Sequence, residues 1–321
     1  MAAVIEVEQL EKTFTVLHKT GRLRRTRTQV HAVAGVDFTI EAGEMVGYIG
    51  PNGAGKSTTI KMLTGILVPS GGRIRVVGLD PSRRRVEVAR RIGVVFGQRT
   101  QLWWDLPLRD SFELLRHVYR VGPQRHAQNL TGFIDLLDMG EFLDTPVRQL
   151  SLGQRMRGEL TAALLHDPEI VYLDEPTIGL DVVSKAQVRE FLATINRERG
   201  TTVLLTTHDL ADIERLCRRV MIIDHGRVLY DGDLDTIKAR FGTERTLVVD
   251  LEEAAPPIAV EGAEVVKVEG PRQWLRFKRA DVTAADLVAQ VAARARLVDL
   301  SVEEPDIEGV VRRIYLEGLD G

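Results

Sequence analysis

Short apolar runs alternate along this chain with stretches whose apolar residues recur every three or four positions, and that alternation divides it into elements. Val4-Ile5-Glu6-Val7 and Val33-Ala34-Gly35-Val36-Asp37-Phe38-Thr39-Ile40 change character at nearly every residue, the period of a half-buried antiparallel strand. Between them, residues 17–29 hold Lys19, Arg22, Arg24, Arg25 and Arg27 with no acid. So many like charges cannot share a core, and the segment predicts an exposed basic loop. Residues 45–49 predict a buried strand that runs into a glycine-rich turn, and Ile60, Leu63 and Leu67 predict a helix over 56–67. Another strand and helix follow, then a strand at 92–96. Residues 108–166 show only helical periods, as in Phe112, Leu115, Val118 and Tyr119. Apolar runs at 170–173, 202–205 and 220–223 are of the kind that lie inside a parallel sheet covered on both faces. The fold class is therefore α/β, with an antiparallel β subdomain, a mainly parallel core sheet and a helical subdomain over about 99–166.

Near residue 240 the pattern changes. Residues 247–251 predict a strand and 252–257 a linker; strand, turn, strand, helix, strand and helix follow, with Gly270-Pro271 at a hairpin and Leu287, Val288 and Val291 on one helix face. Two domains result: 1–241, and a small α+β domain over 242–321. A length of 321 residues suits two cores. The net charge of −3 and 44% hydrophobic content exclude disorder and collagen and leave no basic footprint for nucleic acid. One cysteine, Cys217, excludes a disulfide framework and a four-thiolate zinc site, and predicts a small buried side chain. No apolar stretch approaches the ~18 residues that cross a bilayer, and acids near the start replace the bases of a secretory leader. A membrane role would come through a partner, from the cytoplasmic side.

The chemistry begins at residues 50–58, GPNGAGKST, where Gly50, Gly55, Lys56 and Ser57 complete G-x-x-x-x-G-K-[ST]. A polyanion is held there by inward-turned N–H groups, the positive end of the following helix and the Lys56 ammonium. Gly53 and Gly55 let the backbone approach, and Ser57 offers a hydroxyl to Mg²⁺. Gly50, Asn52, Gly53, Ala54, Gly55, Lys56, Ser57 and Thr58 are thus expected to bind a nucleoside triphosphate. Residues 170–176, IVYLDEP, end a buried strand in two carboxylates beside this loop. Asp174 suits Mg²⁺, and Glu175 suits the water that attacks the γ-phosphate.

The order of these blocks, with Gln98, then Leu150-Ser-Leu-Gly-Gln154, Asp174-Glu175, Gly179-Leu-Asp181 and His208, resembles the ATP-binding subunit of ABC transporters over residues 3–240. The segments GQRTQLWWDLPLRDSFELLR and DEPTIGLDVV are similar to the ABC-2 drug-exporter branch of viologen-exporter and daunorubicin-exporter type. The resemblance implies a P-loop ATPase of the ABC type with ATP and Mg²⁺ as cofactors. It places Gln98 on the metal and the lytic water, and Ser151, Gly153 and Gln154 on the γ-phosphate held by the opposite subunit. Asp181 would align the two sites, and His208 would contact both the γ-phosphate and Glu175. Leu152 replaces the commoner glycine. Phe14 is the candidate for stacking on adenine, the basic segment accounting for its distance from Lys56. Trp103 and Trp104 lie where the family receives the permease, or they pack inside the helical block. The arginines at 22–27, 83–85 and 90–91 face either solvent or anionic headgroups.

One phosphate loop and one signature per chain imply head-to-tail pairing, as a homodimer or with a similar ATPase subunit, beneath ABC-2 type transmembrane permease subunits. The chain would then be peripheral, on the cytoplasmic face of the cell membrane, with no nucleic acid expected. The alternative is a soluble ABC-type clamp acting on nucleic acid or ribosomes; an importer ATPase with a sensory tail also stays open.

Overall fold

The computed structural model describes residues 2–19, 25–97, 99–241, 244–278, 280–303 and 307–317. They form two compact units, Met1–Gly232 and Asp233–Gly321. In the first, β1 (Ala3–Lys19) and β2 (Arg25–Glu41) pair antiparallel from Ala3 opposite Glu41 to Lys19 opposite Arg25. This corrects the expectation of a loop over 17–29, of which residues 20–24 lie outside the described residues. Main-chain hydrogen bonds hold a ladder without buried side chains, so the ribbon runs on although Leu17, Arg27 and Gln29 are exposed.

Strand β3 (Met45–Ile49) is buried throughout and leads through the glycine turn into α1 (Lys56–Leu63). The helix is shorter than the 56–67 expected, and Leu67 falls beyond it. Gly65 ends it at φ +72°, where a Cβ would lie 2.5 Å from Pro81 O. Next come β4 (Gly71–Val76), α2 (Arg85–Ala89) and β5 (Ile92–Phe96), then α3 (Leu108–Tyr119), α4 (Pro123–Leu136) and α5 (Leu152–Leu164). The alternation resumes with β6 (Ile170–Asp174), α6 (Val182–Arg199), β7 (Thr202–Thr206), α7 (Leu210–Leu216), β8 (Arg219–Asp224) and β9 (Arg227–Asp233). One sheet has the order β2-β1-β4, the other β5-β6-β7-β3-β8-β9. Every pairing from β5 to β8 is parallel. The carboxyl ends of β3, β5, β6 and β7 therefore share one rim, with Phe96, Asp174 and Thr206 in register across it.

The helical block buries Phe112 and Leu115, but Val118 is 61% exposed, so its apolar face ends a turn earlier than the spacing suggested. Tyr119 stacks flat on His166, just past α5, with ring centroids 3.8 Å apart. Trp103 and Trp104 are 39% and 48% exposed, so neither is sealed inside the block. Cys217 is buried as expected. Arg84 and Arg91 are tied to Glu87 and Glu169.

The second unit comprises α8 (Leu234–Phe241), β10 (Glu244–Leu251), β11 (Ala263–Glu269), β12 (Arg272–Lys278), α9 (Ala284–Ala292), β13 (Leu297–Glu303) and α10 (Ile307–Glu317). By compactness α8 belongs here, whereas the sequence pattern divides the chain after 241. The sheet is antiparallel in the order β11-β12-β10-β13, and Leu247, Val249, Leu275 and Phe277 pack with Leu287 and Val291 of α9. Burying each such side chain contributes about 1.5–3 kcal/mol. Residues 252–257 are not a free linker. Gln273 is fully buried and donates to Ala255 O and Pro256 O, both at 3.0 Å, while its Oε1 accepts from Ile258 N–H at 3.0 Å. A buried amide must be satisfied, and this loop satisfies it.

The α/β architecture expected from the pattern, with its antiparallel subdomain, largely parallel core sheet, helical block and small α+β unit, is the one observed.

Candidate active site

The phosphate loop is shaped by close approaches that side chains would block. At Gly50 a Cβ would sit 2.5 Å from Ile223 O, and at Gly55, with φ +107°, 2.4 Å from Ala32 O. Gly53 also has positive φ, +86°, with open space around it. Asn52 and Gly53 are exposed at the tip, Ala54 and Gly55 are buried, and Ser57 and Thr58 sit half-buried in the first turn of α1. Gly226 N–H donates to Ala54 O at 3.0 Å, and Ala34 N–H to Gly226 O at 2.8 Å, fastening the loop to β2 and to the turn after β8.

Lys56 folds back into the loop, only 6% exposed, and its ammonium donates to Gly50 O at 2.6 Å and Pro51 O at 3.1 Å. Burial pulls its pKa below the usual lysine value, while Glu175 and Asp174 pull it up. No ion pair among the described residues uses this ammonium, which leaves its charge for a ligand. The first N–H groups of α1 lack a side-chain cap, since Gly55 is the N-cap. A desolvated cation and uncapped N–H groups fit a phosphate chain.

Across the rim, Asp174 Oδ1 accepts from Thr206 Oγ1 at 2.6 Å and from Ser57 Oγ at 3.4 Å. A hydroxyl and a carboxylate so close are hard oxygen donors that fit Mg²⁺. Glu175 has φ +58°, rare for a residue with a side chain, and its N–H donates to Thr206 O at 2.9 Å. His208 Nε2 lies 2.7 Å from Glu175 Oε1. Gly97 N–H donates to Asp174 O at 2.8 Å, and a Cβ at Gly97 would lie 2.8 Å from Glu175 O. A cavity of about 320 Å³ opens here, lined by Ser57, Lys61, Phe96, Arg99, Asp174 and Glu175 among others. Gln98 lies outside the described residues. Thr206 was missed from sequence because the apolar run stops at Leu205; the polar residue continuing the strand was the available signal.

The signature residues form a second group. Ser151 caps α5 in a complete capping box: its Oγ accepts from Gln154 N–H at 3.2 Å, and Gln154 Oε1 accepts from Ser151 N–H at 2.9 Å. Ser151 and Leu152 are exposed, while Gly153 is buried where a Cβ would meet Ser184 Oγ at 2.5 Å. Asp181 caps α6 and accepts from Val183 N–H, Ser184 N–H and Ser184 Oγ at 2.9, 3.0 and 2.6 Å. Those bonds hold its pKa below the usual carboxylate range, the Ser184 hydroxyl foremost. Sequence reading also missed Ser184, which donates to Asp181 and lies against the signature turn at Gly153. Lys56, Ser57, Asp174, Glu175 and His208 are thus brought together, and Ser151, Gly153, Gln154 and Asp181 are brought together. Among the described residues no hydrogen bond or ion pair joins the two groups. Phe14 lies on β1 opposite Val30, half-buried, with Lys12 Nζ 5.3 Å from its ring centre.

A glycine turn opening a helix at the rim of a parallel sheet, with a buried lysine, a serine and an aspartate converging on it, defines a P-loop nucleotide-binding protein. Comparison with known proteins narrows this. Residues 33–178 match the model of the ABC transporter family. The chain is 35% identical over 223 residues to the ABC transporter ATP-binding protein NatA of Bacillus subtilis (strain 168), covering 70% of this chain and 90% of NatA. It is 32% identical over 274 residues to the daunorubicin/doxorubicin resistance ATP-binding protein DrrA of Streptomyces peucetius, covering 80% and 82% of the two. A solved dimeric ATP-binding cassette in a post-hydrolysis state, bound to ADP and Pi, superposes with TM-score 0.60 at 26% identity, over 72% of this chain and 98% of that one. The chain belongs to the ABC transporter family as one of its ATP-binding, ATP-hydrolysing proteins.

Proposed function

We propose that this chain powers a separate membrane permease of the ABC-2 exporter type, at the cytoplasmic face of the membrane, by ATP-driven head-to-tail dimerisation. The observation that carries this reading is the division of the site. Lys56, Ser57, Asp174, Glu175 and His208 converge on one rim, whereas Ser151 stands exposed on a helix tip that no hydrogen bond or ion pair among the described residues joins to them. Each group has half of what a triphosphate needs, so two copies, or this chain and a similar subunit, complete a site.

In that site Lys56 balances phosphate charge, and Glu175 orients and polarises the attacking water. His208 holds the Glu175 carboxylate by its short contact. Ser57 and Asp174, with Gln98, are the residues that would hold Mg²⁺, whose bound chemistry is neutralisation of phosphate charge. From the partner copy, Ser151 and Gly153 add donors at a helix N-terminus, with Gln154 beside them and Asp181 aligning the interface. Phe14 stacks on the base. Export is favoured by the resistance relative named above. No helix among the described residues is long and apolar enough to cross a membrane, and in this reading the permease supplies the path. The half-exposed Trp103 and Trp104, with Arg155 5.7 Å over the Trp104 ring, give that permease an apolar contact.

The test is Glu175→Gln in the purified chain. Turnover is expected to fall by roughly 10²–10⁴, with ATP retained in a dimer seen by size exclusion. Hydrolysis at the wild-type rate would remove Glu175 from the reaction.

A further inference from the structure

We propose that Asp212 is a positioning residue that keeps Glu175 and His208 in register, which rests on the reading of those two as the hydrolytic pair. Asp212 lies in the first turn of α7 and is fully buried. Its Oδ2 accepts from Thr177 Oγ1 at 2.5 Å and from Thr207 Oγ1 at 3.2 Å. Its Oδ1 accepts from Arg189 Nε at 2.5 Å, and Arg189 Nη2 reaches the same oxygen. Thr177 is two residues past Glu175, and Thr207 directly precedes His208; both are 3% exposed.

The geometry explains why one carboxylate can set the register. The loops after β6 and β7 share a main-chain hydrogen bond, Glu175 N–H to Thr206 O. Beyond it, side chains carry the connection. On the solvent side this is the Glu175–His208 contact, and on the buried side it is Thr177–Asp212–Thr207. A buried carboxylate must have its oxygens satisfied, and here both hydroxyls converge on one of them while a guanidinium holds the other. Neither loop can shift without breaking a bond to Asp212. Arg189 comes from α6, whose cap Asp181 sits at the signature turn. Lys185 of the same helix reaches Asp209 Oδ2 at 2.6 Å, next to His208. The helix that begins beside one half-site thus anchors the hydrolytic loops of the other.

The experiment measures MgATP hydrolysis and, by calorimetry, ATP affinity of the full chain in Asp212→Asn, Thr177→Val, Thr207→Val and the double threonine variant, with Glu175→Gln as reference. Asp212→Asn keeps the shape and replaces one acceptor by a donor. Its kcat is expected to fall roughly a hundredfold, the scale of a 1 Å misplacement, while its ATP affinity stays within about twofold. Each threonine variant should lower kcat, and the double variant should lose no more than Asp212→Asn, as members of one unit do. Wild-type kcat in folded Asp212→Asn overturns the proposal, as does a parallel loss of affinity, turnover and Tm, which would mark a purely structural role. Should Asp212→Asn not fold, unchanged kcat in the threonine variants overturns it, and reduced kcat with retained affinity supports it. If Glu175→Gln itself hydrolyses normally, the underlying reading fails and this proposal with it. If Glu175→Gln is inactive and Asp212→Asn is not, only the proposal fails.

Discussion

Two helices in this chain begin at motifs of the candidate site, and they finish their N-termini in opposite ways. Helix α1 starts after Gly55 in a left-handed conformation with no side-chain cap, and it runs for 8 residues. Helix α5 starts after Ser151 with both arms of a capping box closed, and it runs for 13. The first leaves its N–H groups for a ligand, so its end is complete only when an anion arrives. The second needs no ligand to be stable and can be presented at a surface. On the function proposed above, one chain holds a receptor for phosphate and a self-sufficient tip to be laid against phosphate held elsewhere.

The largest expected effect tests whether these ends belong to different copies. Lys56→Ala should abolish measurable ATP affinity by calorimetry in its own copy, and Ser151→Ala should lower turnover at least roughly tenfold. Mixing the two impaired chains should bring turnover to about a quarter of wild type, since half the dimers are mixed and each has one intact site. No recovery in the mixture breaks the comparison. Next, Gly55→Ala places a methyl 2.4 Å from Ala32 O at positive φ. A loss of stability on the order of 4 kcal/mol is expected from strain and overpacking together, read by denaturant unfolding. A loss below that of a helix cap would show that α1 does not need its glycine.

A third effect acts through pH on the block that carries α5. His166 donates toward Ile92 O at 2.9 Å and is stacked on Tyr119, and burial pushes its pKa down from 6.5 to about 4. Burial also lowers His126 in the same block. The unfolded chain therefore binds more protons than the folded one between pH 6.5 and about 4. The stability in question is present above pH 6.5 and is lost as pH falls through that window, on the order of 3 kcal/mol for His166. Plotted against pH, the Tm of His166→Phe should slope less steeply there than wild type, with His126 supplying the remainder; parallel slopes would refute the assignment. The smallest effect is Gln154→Ala, which opens one arm of the capping box and should cost ~0.5–1 kcal/mol by thermal unfolding.

Much of this was legible in the sequence, because a phosphate loop or an acid-ended strand depends on residue type at fixed spacing. The rim that gathers Lys56, Asp174, Glu175 and His208 follows from strand-helix alternation and parallel pairing. What escaped depends on partners distant along the chain. The ladder from β1 to β2 continues through basic residues because its bonds are main-chain, which a hydrophobic period cannot register. Residues 252–257 read as a linker until Gln273 is seen to hold them. Thr206 and Ser184 carry no motif of their own; they matter through the carboxylates they hold. Val118 continues the helical period of α3 but faces solvent, because period alone does not say how far a covering layer extends.

Glu175 sits at φ +58°, where glycine or asparagine would rest with less strain. A search of variants for higher melting temperature alone would favour replacing it and, with Glu175 in the role proposed for it, would pick out stabler chains that no longer turn over nucleotide. That role sets resistance to heat against catalytic competence at this one backbone angle, so activity has to be scored alongside stability in any effort to harden the chain.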